Sequence, residues 1–166
     1  FLLIFILVAA AFLRLNGSDW GDMQHQHPDE LFITGVVGNL RAQACMDEVT
    51  PVDVCPPEQQ RWMTVGEYFD TQNSTLNPAN RGHEAYVYGT LPIFIVRYTA
   101  EIMPMLGNWL LEKPVTDPAL IQWAYDLKAI NLKLLGRQFS ALADLGTLFL
   151  LYLIVKRLYG GKTALQ

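Results

Sequence analysis

The densest run of acid–base groups in the chain is His25-Gln26-His27-Pro28-Asp29-Glu30. Proline suits the first position of a helix, and acidic side chains suit the first turn, where they offset the helix dipole. A carboxylate held there stays ionised, as a general base must, and can take a proton from a sugar or protein hydroxyl. Asp29 is therefore the candidate base, with the Glu30 carboxylate adjacent, although Pro-Asp-Glu is also ordinary helix-start chemistry. His25 and His27, with the same two carboxylates, alternatively offer a divalent metal such as zinc or manganese its preferred ligands. Adjacent Asp and Glu diverge on a helix, and His83-Glu84 is the only other His/acid pair, so no cofactor is firmly implied.

Arg81, Arg97 and Arg137 are expected near a membrane surface. The guanidinium fork matches phosphate oxygens, and a lipid-phosphate substrate would need one or two such contacts. Lipid headgroups or intramolecular carboxylates would serve equally as partners; Arg137, at the mouth of an apolar run, is the strongest single candidate. Tyr86, Tyr88, Phe94, Tyr98, Trp109 and Trp123 could form a sugar-stacking surface or an interfacial aromatic belt. The candidate substrate contacts are Arg81, His83, Tyr88, Arg97 and Arg137. Asn16-Gly17-Ser18 and Asn73-Ser74-Thr75 match the glycosylation acceptor pattern. Asp144, inside an apolar run, is either functional or makes a helix-to-helix hydrogen bond.

The elements that must hold these groups are set by an uneven composition. Of 166 residues, 51% are hydrophobic and 17% charged, with a net charge of −4. That excludes a disordered chain, and the acidic balance argues against nucleic acid as a partner. Residues 1–13 carry no polar side chain but fall short of the ~20 residues a span requires. They read as a first transmembrane helix cut at its start, or as the apolar core of a secretory signal. Because the chain begins at Phe1 and not at methionine, it is read as a truncated piece of a longer protein. A second apolar run, 139–155, holds one acidic residue, Asp144, and is followed by Lys156, Arg157 and Lys162. The intervening segment, 14–138, has nine Lys/Arg against fifteen Asp/Glu. The positive-inside rule then predicts a cytoplasmic tail at 156–166 and an extracytoplasmic acidic loop between two spans.

Within that loop the spacing of apolar residues predicts helices near 28–41, 87–106 and 118–135. The second has enough apolar residues to cross the bilayer but carries Arg97, Glu101 and two prolines. A full crossing would also put the basic tail outside, so it is read as lying at the interface, with Arg97 and Glu101 paired four residues apart. Thr116-Asp117-Pro118 starts the third helix, with a capping residue and then proline. Proline-rich 50–57 is expected to be irregular, and 62–92 an ordered loop. Cys45 and Cys55 can oxidise outside the cytoplasm, closing a short loop worth roughly 2–3 kcal/mol, or remain thiols. The fold class expected is an all-α polytopic membrane protein.

HPDE after a first membrane helix, then LNPANRG…YVYGTLPIF, then GRQFSALADLGTLFLLYLIVKRLYG, resembles bacterial glycosyltransferases of family 39. This is the protein-mannosyltransferase-like, phospholipid-carrier-dependent branch of the GT-C superfamily. The resemblance covers nearly the whole chain in order. It implies a GT-C-type N-terminal portion, with further helices beyond it, and extracytoplasmic transfer of a sugar from a polyprenyl-phosphate donor, usually with inversion. The acceptor would be a lipid, glycan or protein hydroxyl. Asp29 falls on the family's first-loop acidic position, assigned as the base, and Glu30 on its paired acid. Helices after HPDE and around YGTLPIF match its juxtamembrane helices. The lipid A-modifying branch has lysine before proline where Leu91 precedes Pro92 here, which separates this chain from that branch's donor-phosphate contacts. The rival readings are a non-catalytic membrane subunit whose outer loop binds a partner, and a metal-dependent membrane hydrolase using His25 and His27.

Overall fold

The computed structural model describes residues 2–21, 28–47 and 49–160. They are mostly helical, 65% in helix and 4% in strand. Two compact units result: one contains 2–21 and 133–160, the other 28–132.

The larger unit is organised by helix starts that its sequence encodes. Pro28 is the first residue of α2 (Pro28–Asn39), with Asp29 and Glu30 in the first turn. α2 packs on α4 (Thr90–Leu111); Val36 and Val37 of α2, Leu40 just beyond it, Leu76, and Ile93 and Val96 of α4 are all buried. These spacings of one, three and four residues put apolar side chains on one helical stripe. α5 (Pro118–Lys128) begins at Asp117, whose carboxylate accepts from Ala119 N at 2.9 Å. Helices α4 and α5 meet at Gly107, where a β-carbon would stand 2.6 Å from the Ala124 carbonyl oxygen. Only glycine permits that approach. Pro104 sits inside α4, which nevertheless continues seven residues further to Leu111. The interfacial helix expected at 87–106 is thus displaced toward the C-terminus, because the chain before Thr90 turns at Gly89 in extended conformation.

A two-stranded antiparallel sheet amends the all-helical expectation. Its strands are β1 (Gln43–Cys45) and β2 (Gln60–Trp62), in the register Gln43 to Trp62 and Cys45 to Gln60. Cys45 and Cys55 are joined by a disulfide, with Cα atoms 5.8 Å apart. Gln60 Nε2 donates to the Cys55 carbonyl at 2.8 Å, tying the disulfide loop to the second strand. The next turn, α3 (Val65–Phe69), opens with a reciprocal cap between Thr64 and Glu67. A 3-10 turn, Pro78–Arg81, ends at Gly82 with φ of +81°, a backbone shape that reverses the chain into His83 and that side chains resist.

The helix expected over 118–135 is two helices. α5 stops at Lys128, Ala129 leaves the helical region with ψ of 48°, and α6 (Leu132–Tyr159) starts three residues later. Asn131, immediately before α6, is a residue type suited to interrupting one helix and beginning another. The second apolar run therefore belongs to a 28-residue helix longer than 139–155.

In the smaller unit, α6 is the single described helix long and apolar enough to cross a membrane. At ~1.5 Å per residue it exceeds the ~30 Å hydrocarbon core. The N-terminal run forms α1 (Leu2–Leu15), whose 14 residues fall short of that thickness. Arg14 of α1 pairs with Asp144 of α6. Arg137 Nη1 donates to the carbonyls of Ser18 and Trp20, each at 2.9 Å, with its guanidinium 4.9 Å over the Trp20 ring. Rising positions along α1 and its exit thus meet falling positions along α6. The two segments run antiparallel.

Candidate functional site

The acidic start of α2 is an exposed helix end, with Asp29 exposed and Glu30 half-buried. Adjacent helical residues diverge by about 100°, whereas residues three apart share a face. Asp29 and Glu30 therefore serve different sides of the helix. Asp29 shares its side with Phe32, one turn on.

Phe32 is the centre of an aromatic group that the chain assembles from separate segments. The His83 ring stands edge-on to it with centroids 6.2 Å apart; the Tyr86 ring lies nearly parallel, 24° off, at the same separation. Tyr88 is tilted toward both Phe32 and Tyr86, at 6.4 and 5.7 Å. Phe32 remains 39% exposed and Tyr88 46% exposed, so ring surface faces outward. Tyr86 is the inner member: its hydroxyl donates to the Gly89 carbonyl at 3.1 Å, and partial burial, with Tyr88 alongside, pushes that hydroxyl above its ordinary pKa. His83 Nε2 lies 2.8 Å from the Asn39 side-chain amide nitrogen. With that nitrogen as donor, the ring proton sits on Nδ1.

Arg81, two residues before His83, ties that turn to the end of α2. Its Nε donates to the Asn39 carbonyl at the end of α2 and its Nη2 to Asp53 in the disulfide loop, both at 2.7 Å. Asp53 also takes Arg41 Nε at 3.1 Å. The Arg81 hydrogen bond, with Arg41 nearby, holds the Asp53 carboxyl below its usual range. Burial, and then the charge of Arg97, lower Arg41 from its ordinary value. Arg97 itself donates to Glu101 Oε1 at 2.5 Å, the i,i+4 pair expected on that helix, and the Ala42 backbone N–H shares the same oxygen at 3.0 Å.

Of the sequence candidates, then, His83 and Tyr88 share an aromatic group with Phe32, on the Asp29 side of α2. Arg81 and Arg97 are engaged by Asp53 and Glu101. Arg137 belongs to the smaller unit, where it holds the chain leaving α1. His25 and His27 lie outside the described residues, and among the described residues no cluster of three metal-ligating side chains occurs. The wider aromatic set is divided: Phe94 packs on Tyr68, Tyr98 stacks on Trp62, and Lys113 lies over Trp109. Phe32 was not among the sequence candidates. Its position three residues after Asp29 was the available signal.

Comparison with known proteins finds no matching family model, curated protein or solved structure.

Proposed function

We propose that this chain is the N-terminal part of a membrane glycosyltransferase that moves a sugar from a polyprenyl-phosphate donor to an acceptor hydroxyl on the extracytoplasmic face. The observation that carries the reading is Asp29, exposed in the first turn of α2 and one helical turn from an outward-facing aromatic group. A carboxylate in that position is exposed to an incoming acceptor hydroxyl and can take its proton. In the proposed step the acceptor oxygen attacks the anomeric carbon as the carbon–oxygen bond to phosphate breaks. The bonding pair leaves on the polyprenyl phosphate, the acceptor proton passes to Asp29, and the anomeric configuration inverts. Glu30, on a different side of the helix, does not share the proton.

Three observations support the proposed location. A membrane-length helix ends in Lys156 and Arg157, the pattern of a cytoplasmic end. The acidic segment before it contains a disulfide, the bond of an oxidising compartment. Arg14 and Asp144 join α1 to α6, and the two segments run antiparallel, as an outward and a returning segment would.

The test uses membranes containing the chain within its complete reading frame and a panel of polyprenyl-phosphate sugars. Transfer from at least one donor, lowered by about 10²–10⁴-fold in Asp29→Asn, is expected of a lost general base. Failure of every donor with folded protein would overturn the reading in favour of a partner-binding subunit.

A further inference from the structure

We infer that the Phe32–His83–Tyr86–Tyr88 group is a pyranose-binding subsite that receives the sugar ring of a glycan acceptor beside Asp29; this rests on the glycosyl-transfer reading and names its acceptor class. Three features make the group a built site rather than scattered exposed rings. The rings come from α2 and from three positions after the left-handed turn at Gly82, so the fold gathers them across more than 50 residues of sequence. Its inner members are fixed, His83 by the Asn39 side chain and Tyr86 by the Gly89 carbonyl. Its outer members, Phe32 and Tyr88, keep large fractions of their surface open.

The chemistry favours a sugar over a purely apolar occupant. A pyranose has one face of C–H bonds, weakly positive, which suits the negative face of an aromatic ring. It also has hydroxyls at its rim, which need hydrogen-bond partners. Tyr88 carries a phenol that can donate or accept, and His83 carries a second ring nitrogen beyond the one facing Asn39. An alkyl chain would use the ring faces and leave those polar groups dry. Stacking on Phe32 would hold a ring hydroxyl on the Asp29 side of α2, which is where the proton must go. A bare protein hydroxyl would gain nothing from four rings.

The experiment reads binding without turnover, by saturation-transfer NMR on the full chain in nanodiscs, which carry no detergent sugar. The probes are methyl α-D-mannopyranoside and methyl β-D-glucopyranoside, with the open-chain alditol mannitol as control. At least one pyranoside is expected to receive saturation on its ring C–H protons and mannitol not. Tyr88→Ala should weaken that binding about tenfold, and Tyr88→Phe, which keeps the ring, much less. Equal signals from mannitol and the pyranosides, or wild-type binding by Tyr88→Ala, would overturn the subsite. A Tyr88→Phe loss as large as that of Tyr88→Ala would overturn stacking as its basis. Loss of the base assignment would appear separately, as unimpaired sugar transfer by Asp29→Asn, and leaves pyranoside binding to be judged on its own.

Discussion

Glu67 illustrates how charge is used residue by residue in the larger unit. Arg61 grips it with two nitrogens, at 2.7 and 2.8 Å, and Thr64 adds its backbone N–H and hydroxyl. The Arg61 hydrogen bonds, then those of Thr64, lower its pKa from 4.5 to about 2. The folded value lies below the unfolded one, so the ionised carboxylate stabilises the fold fully above about 4.5 and loses that effect as pH falls toward 2. Thermal unfolding of Glu67→Gln should therefore show a deficit at neutral pH that closes between those values. A deficit unchanged down to pH 2 would mean that the charge is not what Glu67 contributes. Some of this scale was legible in sequence: Asp29, Glu30 and the Arg97–Glu101 spacing all follow from helix geometry. The Arg81–Asp53 pair did not, because its partners are 28 residues apart and meet only through tertiary folding.

Helix starts were readable at the scale of elements because proline and a capping oxygen act locally. Pro28 and Asp117-Pro118 begin α2 and α5 as their chemistry dictates. Helix ends were less so. The break after Lys128 has neither glycine nor proline to announce it, and it divides what periodicity alone joins into one helix. The three-residue strands escaped notice for a related reason. Their pairing is fixed by a disulfide loop and not by alternation along so short a segment. The α4–α5 contact makes a direct prediction. Gly107→Ala places a methyl 2.6 Å from the Ala124 carbonyl and 2.8 Å from Lys128 Cγ, so the helices must move apart. Chemical denaturation should show a loss of roughly 1–3 kcal/mol, the usual range for overpacking. An unchanged midpoint would mean that the helices do not approach this closely.

At the scale of the whole chain, the division between a polar middle and apolar ends was evident from charge and hydropathy. The number of crossings was not, since α1 is shorter than a bilayer and α6 is the only described helix that meets the length and composition required. What links α1 to α6 is chemistry invisible to a hydropathy profile. Arg14 meets Asp144, and Arg137 closes the other end on Ser18 and Trp20. Arg14→Ala in nanodiscs should lower the thermal midpoint, because it leaves a carboxylate without its cation. The exchange Arg14→Asp with Asp144→Arg should recover most of the loss. If the exchange is no better than the single change, the pair does not couple the two segments.

Sugar transfer as proposed turns on Asp29 taking the acceptor proton. The most direct measurement is the single-turnover rate of sugar transfer by Asp29→Asn in membranes at saturating donor, set against wild type and Glu30→Gln. A fall of about 10²–10⁴-fold is expected for Asp29→Asn and a much smaller one for Glu30→Gln. Wild-type turnover by Asp29→Asn would contradict it, and the acidic start of α2 would then be no more than a helix cap.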